Sequence, residues 1–300
     1  MIGLILALLS GFSFSLSNIF IRKGVHRSGE AFSLIPIFAF LGTVFFGIPL
    51  LISGEVEQLA SLSWLGVGVL AGAGILHFIL GRISAYTGIR LIGANRTVPI
   101  VTCSILIAAL LGIFLLGEPL TISLVLAVLL VVGGIILIST RGNSKTEQSG
   151  MPRGFLVKGI LAALGGAICW GISPTLVKVG LREVDSPLLA TFVSYAASSV
   201  VIGFSLFSPR NSEKLRRLTR PAIIPIIIAA VAVSVAQILR YWALNYSHVS
   251  LVEPLIGSMN SLFVFPLSFL INRQIEAFNL MIIMGAIAIV VGVSLIFWVA

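Results

Sequence analysis

Two stretches decide the reading of this chain, SGFSFSLSNIFIRKG at residues 10–24 and GGAICWGISPTLVKVG at residues 165–180. At an offset of 156, Ser10, Phe14, Ser17, Arg22 and Gly24 fall on Gly166, Trp170, Ser173, Lys178 and Gly180. Small, aromatic, hydroxyl and basic positions recur in register, so the two stretches read as copies of one apolar helix that ends on a cation. Working outward, the copying continues. At an offset of 155, Arg82 falls on Gln237, Tyr86 on Tyr241 and Pro99 on Pro254, and VVGGIILI at 131–138 matches VVGVSLIF at 290–297.

Charge spacing sets the class. The 300 residues hold 19 Lys and Arg and 10 Asp and Glu. Between them lie ten uncharged runs of 19 residues or more: 1–21, 31–54, 58–81, 97–117, 119–140, 159–177, 186–209, 221–239, 254–272 and 277–300. A helix needs about 20 apolar residues to cross the hydrocarbon core, and each run suffices once tilt and snorkelling ends are allowed. With 58% apolar residues and a mean hydropathy of +1.15, a water-facing surface could not be covered. The expected fold is an all-α polytopic membrane protein of ten transmembrane helices. The polar segment RGNSKTEQSGMPR, 141–153, reads as a linker, giving a first five-helix repeat at 1–140, a linker at 141–155 and a second repeat at 156–300. Five crossings are odd, so consecutive copies lie inverted in the bilayer, as in many secondary transporters.

The net charge of +9 would suggest nucleic acid in a soluble chain, but here the cations sit where apolar runs end. No nucleic-acid partner is expected. Fifteen of them, from Arg22 and Lys23 to Arg273, fall in the odd-numbered connections, and Lys178, Arg182 and Arg240 in the others. The positive-inside rule then puts the odd connections in the cytoplasm and both termini outside. Residues 1–21 lack a basic n-region and are kept as a permanent helix.

Five plus five helices, the duplicated first-helix pattern and a fourth helix ending in LLGEPLT at 115–121 together resemble the EamA family of the drug/metabolite transporter superfamily. The second half departs from it, with LINRQIE at 270–276 in place of the Gly-Glu. The resemblance implies a carrier for a small metabolite with a central cavity between the halves.

Enzyme chemistry lacks parts. Asp185 is alone of its type, His26, His77 and His248 are scattered, and Cys103 and Cys169 lie inside apolar runs with no metal-ligand spacing. Neither metal nor cofactor is expected, and no P-loop offers ATP drive from within the chain.

Candidate site residues follow from the cost of intramembrane polarity. Arg82 follows an uncharged run of 24 residues, with Phe78 and Tyr86 four residues to either side, and reads as a cavity charge or as a snorkelling anchor. Arg96 opens the fourth helix before Pro99, with Asn95 as a candidate cap, and could join Arg82 in a cationic patch suited to an anion. In the second half Gln237, Arg240 and Tyr241 are followed by Glu253, read as a partner of Arg240 in coupling or gating. Asn18 and Trp170 are the polar and aromatic points nearest the midplane of the first and sixth helices, with Ser17, Ser173 and a kinking Pro174 beside them. Glu118 reads as a cap and His77 as a satisfied polar group. Gly68 with Gly72, and Ala288 with Gly292, have the spacing of close helix contacts.

The expected function is a secondary exporter or exchanger of a small polar metabolite, anionic or zwitterionic, such as an amino acid or organic acid, working by alternating access. The expected site takes in Arg82, Tyr86, Arg96, Gln237, Tyr241, Trp170 and Asn18. Protons are a candidate coupling ion, the protein is expected as a monomer or weak dimer, and its place is the plasma membrane of a prokaryote. Alternatives are a flippase for an anionic lipid or lipid-linked sugar, a membrane enzyme, or an accessory subunit.

Overall fold

The computed structural model describes residues 1–28, 33–60, 62–139, 153–184, 186–208, 220–272 and 280–299. Among them are twelve α-helices and no strand: α1 Ile2–Ser28, α2 Leu34–Ser53, α3 Trp64–Gly74, α4 Gly81–Ile92, α5 Ala94–Thr102, α6 Ser104–Leu116, α7 Ile122–Ser139, α8 Arg153–Leu181, α9 Pro187–Leu206, α10 Arg220–Tyr246, α11 Val249–Asn272 and α12 Leu280–Val299. A π-helical turn, Ile75–Leu80, joins α3 to α4 in one rod, and α5 and α6 meet at Cys103. The described residues therefore form ten rods. Seven are long and apolar enough to cross a membrane, Trp64–Ile92 among them, and Ile122–Ile138 and Ile283–Trp298 are shorter apolar helices. Phe114, Phe204 and Ile224 are exposed by about 70% or more of their surface, as residues facing acyl chains are.

Packing exchanges the two halves. α1 packs on α10 and α11, while α8 packs on α4 and on α5 and α6; α2 meets α9, and α7 meets α12. Hydrogen bonds repeat the exchange. Ser17 Oγ donates to Ala229 O at 2.9 Å, and its copy Ser173 donates to Ala73 O at 3.3 Å. Ser10 Oγ donates to Ala236 O at 2.7 Å, and at the matching place a Cβ on Gly166 would lie 3.4 Å from Gly81 O. A pair of five-crossing units related in this way is an inverted repeat. At Ser10 the first copy makes a hydroxyl bond where Gly166 of the second makes a bare backbone approach.

The ends of the rods explain two features of the sequence. Gly117 closes α6 in the left-handed region at φ 70°, and the N–H groups of Gly117 and Glu118 both turn back to Gly112 O, the second at 3.2 Å. That turn aims the Glu118 carboxylate at the next half. It accepts from Val249 N–H at 2.6 Å and Ser250 N–H at 2.9 Å, filling the open donors and meeting the positive end of α11. A Cβ on Gly112 would come within 2.5 Å of Glu118 Oε2, so the glycine is what lets the carboxylate in. LLGEPLT thus encodes a cap for a helix in the other repeat. At the same set of ends, Lys178 Nζ donates to Asn245 O at 3.3 Å and Ser247 O at 3.1 Å, placing a cation on the negative end of α10.

Two local expectations change. Gly68 and Gly72 meet nothing within 4 Å; the close approach falls instead on Gly74, whose Cβ would lie 2.1 Å from Ser194 O. Ala288 and Gly292 do mark a tight face, since a Cβ on Gly292 would lie 2.8 Å from Ala127 O. Asn95 is inside α5 and not its cap, because Gly93 turns the chain at φ 80° and holds the N-cap position. The LINRQIE segment lies outside the described residues beyond Asn272, as does the linker before Arg153.

Candidate functional site

The site grows from the π turn. Its wider turn carries His77 and Phe78 on a rod that faces α8, α9 and α2. Trp170 of α8 donates its indole N–H to His77 O at 3.0 Å, and its ring centroid stands 6.1 Å from the imidazole. The imidazole then reaches the second half twice. Nε2 lies 2.9 Å from Gln237 Nε2, and Nδ1 lies 3.2 Å from Arg240 Nη1. Arg240 Nε donates to Glu253 Oε1 at 2.8 Å, so a continuous chain of polar contacts joins α8, the π turn, α10 and α11.

Protonation states follow from donor and acceptor inventory. A guanidinium only donates, so Nδ1 accepts from Arg240, and His77 carries its hydrogen on Nε2. That hydrogen needs an acceptor, which is the Gln237 amide oxygen once the amide is turned about its axis. The turn also satisfies Gln237 Oε1, which in the unturned amide has no partner among the described residues. The Gln237 amino group is then left facing the site as a donor.

Arg82 is the other charge. It is 6% exposed, and its guanidinium carbon lies 4.8 Å from the Phe38 ring centroid and 6.0 Å from that of Phe78. Nη1 has no hydrogen-bond partner among the described residues, and no ion pair holds Arg82 among them. It does not snorkel. Phe78 stacks on Tyr195 of α9 at 4.1 Å, and the buried Tyr195 hydroxyl has Ser234 of α10 as its polar neighbour. An unneutralised guanidinium, the Tyr195 phenol and the freed Gln237 amide therefore gather around the Phe78 and His77 rings.

The remaining expected residues divide. Tyr86 is half-buried and packs with Ile35 and Ala39 of α2 and Ile202 of α9. Tyr241 is 2% exposed and donates its hydroxyl to Ser194 Oγ at 2.9 Å, which in turn donates to Leu70 O at 2.8 Å; it braces α10 against α9 and α3. Asn18 donates to Asn260 Oδ1 at 2.9 Å, tying α1 to α11. Arg96 is exposed at the start of α5, in a different setting from buried Arg82. The sequence reading did not include Phe38, Ser194, Tyr195 or Asn260, and it left His77 outside the site. Aromatic and hydroxyl residues of α2 and α9 carried no signal that set them apart from the apolar background.

Among the described residues, Arg82 is thus a buried cation without a counter-charge inside two inverted helical repeats. Both halves match the EamA-like transporter family, over residues 1–140 and 157–298. The chain belongs to that family. A probable glucose uptake protein of Bacillus cereus, GlcU, is 32% identical over 159 residues, which are 51% of this chain and 54% of that protein. The match thus spans about half the length of that relative. A protein of known crystal structure superposes with a TM-score of 0.76 over 98% of this chain and 97% of that one, at 16% identity, which shows the shared fold alone. EamA membership and the transporter relative point to a membrane transporter of small metabolites rather than to an enzyme.

Proposed function

We propose that this EamA protein is a secondary carrier for a small metabolite bearing a carboxylate or phosphate, as an anion or an amino acid zwitterion, and that Arg82 receives the negative group. One observation carries the reading: a guanidinium 6% exposed, with a free Nη1 and no acid beside it among the described residues. A central Arg costs about 2.5 to 3.5 kcal/mol on insertion scales, and stacking on Phe38 and Phe78 offsets only part of that. A ligand oxyanion supplies the missing partner. Rocking of the halves then exposes the site to each side in turn, with Arg240 and Glu253 as the gating pair between α10 and α11. Positive-inside counting places the odd connections in the cytoplasm and both termini outside. Cysteine introduced as Ser144→Cys is then labelled by an impermeant reagent from the cytoplasmic side only; labelling from outside reverses the sidedness.

The test is counterflow in proteoliposomes. Vesicles preloaded with unlabelled L-glutamate, L-alanine, D-gluconate, D-glucose or L-lysine are offered the same labelled solute. Exchange of an anion or zwitterion, lost in Arg82→Ala, is the expected result. A second reading, a neutral sugar stacked on Phe78 and Trp170, is favoured by the name of the Bacillus cereus relative. It predicts D-glucose exchange that survives Arg82→Ala.

A further inference from the structure

His77 stands where a transported proton would have to be read. It is the only side chain of the polar cluster whose ordinary titration lies between pH 5 and 8, it is part-buried rather than sealed, and its hydrogen bonds join the two repeats. Its neighbours fix its present state. Arg240 and Gln237 face it from α10, Arg82 from α4 and Trp170 from α8; Tyr195 of α9 stacks on the adjoining Phe78, and Glu253 of α11 stands behind Arg240. α2 and α3 have no titratable side chain. Two guanidiniums and one carboxylate leave one net positive charge around a neutral imidazole.

We propose that His77 is the coupling-proton site of this carrier, taking its proton on Nδ1 at the expense of the hydrogen bond from Arg240. The proton adds to the Nδ1 lone pair and no other bond is made or broken except that contact; Nε2–H keeps its bond to the Gln237 amide oxygen. Arg240 then has only Glu253, and one of the two polar contacts from the π turn to α10 is lost while that to Gln237 remains, which loosens one repeat from the other. The surrounding positive charge opposes the proton until negative charge enters beside Arg82. Anion and proton therefore favour one another, and by reciprocity each raises the affinity for the other. A monovalent anion with one proton restores the charge of the empty site, so the loaded step is electroneutral.

The inference rests on the carrier reading for its purpose, but the protonation itself is measured without a substrate. The chain has three His, so His26→Gln with His248→Gln leaves His77 as the only imidazole for ring ¹⁵N labelling and NMR in nanodiscs. At high pH the expected spectrum is that of the Nε2–H tautomer with an unprotonated Nδ1, and falling pH gives a single transition to the imidazolium. Arg240→Gln, which deletes the competing donor charge, moves the midpoint up. A spectrum of the Nδ1–H tautomer, or a ring that stays neutral to the lowest pH at which the protein remains folded, overturns the site whatever the carrier transports. Saturating L-glutamate or D-gluconate raises the midpoint by about one pH unit, a tenfold coupling, and D-glucose leaves it in place. A transition that no anionic probe moves overturns the anion reading and leaves the proton site standing.

Discussion

Arg82 and Arg240 are both buried guanidiniums in the third rod of their halves, and they have opposite surroundings. Arg240 is 2% exposed and spends its donors on Glu253 and His77, whereas Arg82 has two phenyl rings and an empty Nη1. In the proposed reading this difference separates structure from binding: Arg240 holds helices together through its partners, and Arg82 receives the solute.

The largest expected effect breaks the satisfied side of that pair. Arg240→Ala strands the part-buried Glu253 carboxylate and removes the donor to His77, so thermal unfolding in detergent should show a loss of about 3 kcal/mol. Arg82→Ala leaves no such orphan. It should fold at least as well as the wild type while losing about tenfold to a hundredfold in affinity for an anion, from a charged hydrogen bond worth about 1.5 to 3 kcal/mol, and Arg82→Lys should fall between. If Arg82→Ala unfolds as readily as Arg240→Ala, the contrast between the two is wrong.

Smaller effects sharpen it. Gly134→Ala places a Cβ about where Gly285 O lies, at 2.6 Å, and should lower the unfolding temperature of the α7–α12 pair through overpacking worth about 1 to 3 kcal/mol. Glu118→Gln keeps one acceptor for the α11 terminus but loses the charge, so a cost of about 1 kcal/mol and no change in anion affinity is expected. Tyr241→Phe removes the bond to Ser194 and should cost about 0.5 to 1.5 kcal/mol with transport retained. A large transport defect there would move Tyr241 from the brace into the site.

Much of the fold was legible because it depends on length and charge spacing. Ten runs free of charge and an odd crossing number per repeat are enough for an inverted pair. The Arg240 and Glu253 contact was legible too, since the two residues are 13 apart across a short helix connection and opposite in sign. His77 was not. A lone His in an apolar run carries no partner in sequence, and its three contacts come from residues 93 to 163 positions away. The π turn is equally silent, because ILHFIL has the composition of any membrane helix, yet the turn sets how His77 and Phe78 are presented. Gly68 and Gly72 show the converse: a spacing associated with helix contact lies where no neighbour comes.

The central claim is that Arg82 is a cation held in reserve for the solute. Ligand binding to the folded state raises stability with the logarithm of one plus the ratio of free ligand to Kd, so unfolding temperature measured against increasing L-glutamate, D-gluconate, L-alanine, D-glucose and L-lysine reads it directly. Wild-type protein should be stabilised by at least one solute with a carboxylate, and Arg82→Ala, folded and monodisperse, should lose that stabilisation. Stabilisation by D-glucose or L-lysine alone, or a carboxylate response unchanged in Arg82→Ala, would contradict it.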